Sequence, residues 1–173
     1  MFKIFQSFAG RWRIQRDIVH RTTTSIGTNS GFFSSSDSSN KCMTVNGSAT
    51  FSPLIGENNT TVQDAYQYSE EGVLRQPDGQ SFNVSQKYIY KLKDDIISVY
   101  FDEKPERILH TLEFKDSSLS SQVATGHHLC GCDTYDATFH FTSPQEFKII
   151  YTVNGPKKAY TMTTKYFKLE QPS

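Results

Sequence analysis

Apolar residues recur at roughly helical spacing only at the start of the chain, where Phe2, Ile4, Phe5 and Phe8 cover barely two turns. This predicts a short N-terminal helix. From Trp12 onward the period drops to two: Trp12, Ile14, Arg16 and Ile18 share one face, and Arg11, Arg13, Gln15 and Asp17 share the other. The first face is the one to bury. Similar alternation returns at about 44–53, 61–70, 84–92, 95–102, 106–114, 118–125, 133–142, 146–153 and 158–169, with no second helical stretch. The connections carry turn chemistry, as in Gln76-Pro77-Asp78-Gly79, Lys93-Asp94-Asp95, Thr142-Ser143-Pro144 and Asn154-Gly155-Pro156, so neighbouring strands are expected to be antiparallel hairpins. A run of about ten strands leaves two long edges exposed unless the sheet closes. The pattern therefore predicts an all-β fold, an antiparallel up-and-down barrel of about ten strands behind a short helix.

Composition narrows this picture. A length of 173 residues suits one domain, 1–173, with a core of its own. Thirteen Phe and nine Tyr with a single Trp favour pleated, half-buried surfaces. Residues 22–41 are dominated by Ser, Thr, Gly and Asn, which bury too little apolar surface to offset their ordering entropy, so a mobile loop is expected there. Eighteen Lys and Arg balance eighteen Asp and Glu, leaving no net field to attract nucleic acid or acidic lipid. No segment approaches the roughly 20 apolar residues that span a bilayer. The cysteines Cys42, Cys130 and Cys132 are odd in number, and the last two are too close along one strand to bridge without distortion, which fits a reducing compartment. The sequons at Asn46, Asn58, Asn59 and Asn83 read as chance matches, because the first residues lack the apolar stretch of a signal peptide. The expectation is an intracellular, cytoplasmic protein. The Arg- and Ser-rich first 40 residues, with only Asp17 and Asp37 as acids, keep a mitochondrial address open.

Gly10-Arg11-Trp12, after a helical lead-in and at the opening of the first strand, resembles the Gly-x-Trp start of lipocalins and related calycins. The resemblance implies that a basic residue of the last strand, usually Arg and here Lys165 or Lys168, packs across the indole at the barrel floor. A broader likeness covers nearly the whole chain. It runs through Gly10-x-Trp12 with Arg16; Tyr68-x-Glu70-x-Gly72 with Leu74-Arg75; Tyr88-x-Tyr90; and Val99-x-Phe101-Asp102 followed by Arg107 and His110. It continues through His128-x-Cys130-x-x-Asp133-x-Tyr135 and Gly155-Pro156-x-Lys158-x-Tyr160, with 22–41 standing as an insertion. In these positions the chain is similar to an uncharacterised domain-of-unknown-function family of short calycin-like barrels. That resemblance implies a calycin-like barrel and shortlists residues, but it brings no activity.

The chemistry at those positions is read from parity. His110 falls with Ile108, Leu112 and Phe114 on an inward face, either as a hydrogen-bonded core histidine or as a ligand-contacting group. His128 and Cys130 share one parity and Asp133 and Tyr135 the other; one extra residue at Gly131, a bulge, would bring all four inside. That cluster reads as a polar network or pocket lining, as a Cys130 nucleophile beside His128 and Asp133, or as a metal site, although no Cys-x-x-Cys or His-x-x-x-His pair is present. An inward Arg16 and Glu70 imply mutual pairing or a solvated cavity. The tyrosines suit an amphipathic ligand. The reading is a barrel that binds a small polar or amphipathic molecule through Arg16, Tyr68, Glu70, Arg75, Tyr90, His110, His128, Cys130, Asp133 and Tyr135. No metal or other cofactor is expected. The alternatives are an acid/base enzyme using His110 or His128 with Asp133, a haem barrel with a histidine on the iron, and a structural subunit without ligand.

Overall fold

The computed structural model describes residues 1–21, 42–115 and 122–170. The loop expected at 22–41 lies outside the described residues, as does the start of the strand expected at 118–125. One helix, α1 (Phe2–Phe8), precedes eleven strands: β1 (Gly10–His20), β2 (Cys42–Ile55), β3 (Thr61–Arg75), β4 (Ser81–Lys93), β5 (Ile96–Phe101), β6 (Ile108–Thr111), β7 (Glu113–Lys115), β8 (Gln122–Cys130), β9 (Asp133–Ser143), β10 (Glu146–Asn154) and β11 (Ala159–Lys168). They form one antiparallel sheet in the order β6-β5-β4-β3-β2-β1-β11-β10-β9-β8-β7. Its two ends, β6 and β7, are neighbours in sequence with only Leu112 between them, so the sheet curls into a nearly closed barrel.

The eleventh strand arises from a change of partner. The run expected as one strand at 106–114 ladders with β5 through Ser98↔Thr111 and Val99↔His110, then with β8 through Glu113↔Thr125 and Phe114↔Ala124. Leu112, at the switch, still donates its N–H to the carbonyl of Ile97 at 2.8 Å. The short hairpins follow their turn residues. Lys93 pairs with Ile96 across Asp94 (φ 50°) and Asp95 (φ 60°), the two positive φ values that a tight two-residue hairpin demands.

The helix closes one end. Phe5 and Phe8 are buried, and Phe8 stacks on Phe51 at 5.0 Å while meeting Tyr90, Phe141 and Phe147 edge-on. Trp12, 1% exposed, donates its indole N–H to the carbonyl of Phe8 at 2.8 Å. Lys168 carries its Nζ to 5.1 Å from the Trp12 ring and donates to the carbonyl of Ser7, whereas Lys165 is exposed on the outer face. No helix among the described residues is long and apolar enough to cross a membrane.

Candidate functional site

Above the aromatic floor the same alternation turns polar. Arg16 follows Trp12 and Ile14 on the inner face of β1 and is 8% exposed; Glu70, from β3, is 3% exposed. The guanidinium donates to both carboxylate oxygens of Glu70 at 2.7 Å and through Nε to the hydroxyl of Thr164, also at 2.7 Å. This fork-to-fork geometry is what lets two desolvated charges persist inside a protein. Tyr68 donates to the same carboxylate and lies 3.1 Å from the hydroxyl of Tyr166. Burial, the largest single effect, works against the charged guanidinium, but hydrogen bonding to Glu70 and the electrostatic pull of Tyr166, Glu70 and Tyr68 together outweigh it and hold Arg16 above its ordinary range.

Around this pair lies a cavity of about 290 Å³. Tyr88, Tyr90 and Tyr151 turn their rings into it, and their hydroxyls, open to the cavity rather than sealed off, form no hydrogen bond with another described residue. Burial pushes Tyr88, Tyr90 and Tyr151 up from the ordinary phenol value, so all three keep their protons. Tyr166, likewise buried and facing the charge of Glu70, is pushed up to about 12.

The mouth opens at the end opposite the helix. There the His128 ring lies 5.7 Å from Phe101 and 6.1 Å from Tyr135. Lys158 bonds Asp133 at 2.8 Å and donates to the Tyr135 hydroxyl at 3.1 Å; these two bonds hold its ammonium above the usual lysine range. On the other side of the mouth the Arg107 guanidinium sits 4.0 Å over the Phe101 ring and pairs with Glu103.

The pattern of the family of unknown function DUF6314 matches residues 8–168. The chain belongs to that family. No curated protein matches it. Among solved structures, the S-type phycobiliprotein lyase CPES from Guillardia theta is similar to it, with a TM-score of 0.62 and 9% identity over 99% of this chain and 93% of that one. A likeness at that identity is one of fold, and it agrees with the barrel described above.

In the DUF6314 barrel the sequence-selected residues separate into three groups. Arg16, Tyr68, Glu70, Tyr90, His128, Cys130 and Tyr135 line the cavity. Asp133 stands at the rim, its carboxylate against Gly155, where a Cβ would meet Oδ1 at 1.8 Å. His110 and Arg75 do not reach the cavity. His110 is buried between Phe139 and Tyr151, and Gly126 presses on it so closely that a Cβ there would lie 2.6 Å from its ring. Neither imidazole nitrogen has a partner among the described residues; burial, then the charge of His128, lowers the ring to about 4. The expectation that His110 would share one cavity with His128 and Asp133 is therefore corrected. Arg75 is exposed at the end of β3, because counting by two from the buried Glu70 puts Leu74 inside and Arg75 outside.

The bulge at Gly131 is also corrected. Gly131 and Cys132 form a two-residue turn between β8 and β9, with Gly131 at φ 62°, so Cys130 pairs with Asp133 and His128 with Tyr135. Cross-strand partners share a face, which is why the parity changes without an inserted residue. Among the described residues no hydrogen bond joins His128 to Cys130 or Asp133, and no group of three His, Cys, Asp or Glu side chains is arranged for a metal. Sequence reasoning missed Tyr151, Thr164 and Tyr166, and left Lys158, which the resemblance had shortlisted, out of the binding set. Thr164 and Tyr166 lie opposite Arg16 and Ile14 in the β1–β11 register, a pairing that only the closed barrel provides.

Proposed function

We propose that the DUF6314 barrel binds a small, uncharged, amphipathic molecule in its interior. The observation that carries this reading is the set of unpartnered hydroxyls of Tyr88, Tyr90 and Tyr151 around a charge pair that is already neutralised. These hydroxyls open onto the cavity, so a ligand that supplies acceptors and donors can satisfy all three at once. Because Glu70 compensates Arg16, a net charge on the ligand would gain little there. The flat rings favour a planar body. A volume of about 290 Å³ corresponds to about ten water molecules, which suits a compact molecule and is too small to enclose a haem, for which His128 would be the cavity-lining ligand.

The calycin likeness belongs to this reading. It is supported by Gly10-Arg11-Trp12 at the floor and by Lys168 across the indole. An intracellular site is likewise our reading, supported by three free and exposed cysteines. The test is mass spectrometry of small molecules released from the purified protein, followed by titration of wild type and Tyr151→Phe. A stoichiometric species whose affinity falls about fivefold on loss of the one hydroxyl is the expected result. A protein that carries nothing, and whose melting point no uncharged aromatic compound in a screened set raises, would overturn the proposal. A Soret band on haem titration, lost in His128→Ala, would replace it with the haem reading.

A further inference from the structure

The zero net charge of the chain conceals a separation. Residues 57–106 hold ten Asp and Glu against five Lys and Arg, a balance of −5, and the rest of the chain holds eight against thirteen, a balance of +5. Four of those thirteen cations stand on the outer wall formed by β1, β11 and β10. There Lys148 lies directly opposite Lys165, with His140 opposite Lys148 on the next strand. On β1, Arg13 stacks at 4.8 Å on Phe167, and Arg11 lies two positions before it on the same face. Adjacent strands stand roughly 5 Å apart, so the facing lysines repel each other, and neither is tied to a carboxylate by an ion pair among the described residues. Burial and the neighbouring Lys148 lower His140, which keeps that ring neutral. Among the described residues Arg11, Arg13, Lys148 and Lys165 make no ion pair, although Lys91, Lys104, Arg107 and Lys158 each make one. Two acids share this wall, Glu146 opposite Phe167 and Asp17 opposite Thr163, and neither forms an ion pair among the described residues.

We infer that the outer wall of β1, β11 and β10 docks an extended acidic segment of a partner protein. Like charges set side by side on a sheet persist when an external anion compensates them. The form of the wall selects among anions. It is the convex side of a barrel, so a flat anionic bilayer touches few of the cations while a flexible chain can follow the curve across the strands. Nucleic acid binds such a surface through rings free to stack, and here Phe167 is already covered by Arg13. Half-buried Ile150 and Phe167 among the cations offer the apolar contacts that a peptide can use. This inference is independent of the cavity.

The experiment measures anisotropy of a fluorescein-labelled decaglutamate peptide with wild type, Lys148→Glu/Lys165→Glu, and Arg75→Glu/Lys87→Glu as a control away from this wall. The expected result is binding that fades as salt rises from about 0.05 to 0.3 M, falls at least tenfold in the Lys148/Lys165 variant and is unchanged in the control. Lys148→Glu alone, which sets an opposite charge facing Lys165, should fold at least as stably as wild type and already weaken binding, so a misfolded double variant does not end the test. Equal binding by all variants overturns the inference, as does tighter binding to phosphatidylserine vesicles or to a single-stranded oligonucleotide. Concentration-dependent self-association lost in the Lys148/Lys165 variant would make the occupant a second copy and also overturn it.

Discussion

At the helix end, Phe8 touches Phe51, Tyr90, Phe141 and Phe147, Trp12 is capped by Lys168, and nothing of the indole is left to solvent. At the other end, rings of the same kind stand apart: Tyr135 and Tyr160 are half exposed, and the polar groups around them serve each other, as in the Lys158 bonds to Asp133 and Tyr135. Both ends use aromatic side chains on inward positions of the same strands. The floor is plugged by a helix that brings its own apolar face; the mouth has no plug among the described residues. An aromatic barrel wall is thus core where something packs against it and binding surface where nothing does.

The comparison breaks if the floor proves dispensable. Trp12→Ala removes a fully enclosed side chain and should cost about 3–5 kcal/mol in chemical denaturation. Native Trp12 fluorescence should resist iodide quenching, and free access of iodide would mean that the helix does not seal this end.

His110 lies between the two regimes, and its contribution is read from pH. Its folded value, about 4, lies below the ordinary 6.5, so the unfolded chain takes up the proton first as pH falls. Stability should therefore be complete above about pH 6.5 and decline toward pH 4 by on the order of 3 kcal/mol. His110→Leu removes two unsatisfied nitrogens without opening a large void, and should flatten that decline while stabilising the protein at acidic pH. An unchanged pH profile would show that the ring is solvated.

The smallest effect belongs to the mouth. Lys158→Ala should change stability by less than about 1 kcal/mol, because its partners are near solvent, yet it should loosen the rim and speed ligand release measured by stopped flow. A loss as large as that of Trp12→Ala would make the mouth a second core.

The strand frame was legible because alternation is local. Trp12, Ile14 and Arg16 show their face within five residues, and Lys93-Asp94-Asp95 announces its turn. Features that depend on a distant partner were not. The split at Leu112 is a change from β5 to β8 and leaves no mark in the run 106–114. The turn at Gly131-Cys132 lacks the Asn-Gly or Asp-Gly signal, so its parity reversal read as a bulge within one strand. Arg75 entered the site list through resemblance, against the parity of its own strand. The inward direction of His110 was visible, but not that Gly126 and Tyr151 would wall it off from the cavity.

One join in the wall differs from the others. β6 ladders with β5 on one side, and on the other it runs beside β8 with no ladder between them, Gly126 resting on His110. Mechanically the barrel is a hoop laced all round except at one buckle, and the tongue of that buckle is the β8–β9 hairpin that carries His128 and Cys130 to the mouth. Every other join must break backbone hydrogen bonds to widen; at this one no ladder joins the two strands among the described residues. The girth of the mouth can therefore adjust to its contents at little cost while the floor keeps its dimensions. The amides of Ile108–Thr111 and of the β8 tip are where hydrogen exchange should slow first when the cavity is filled.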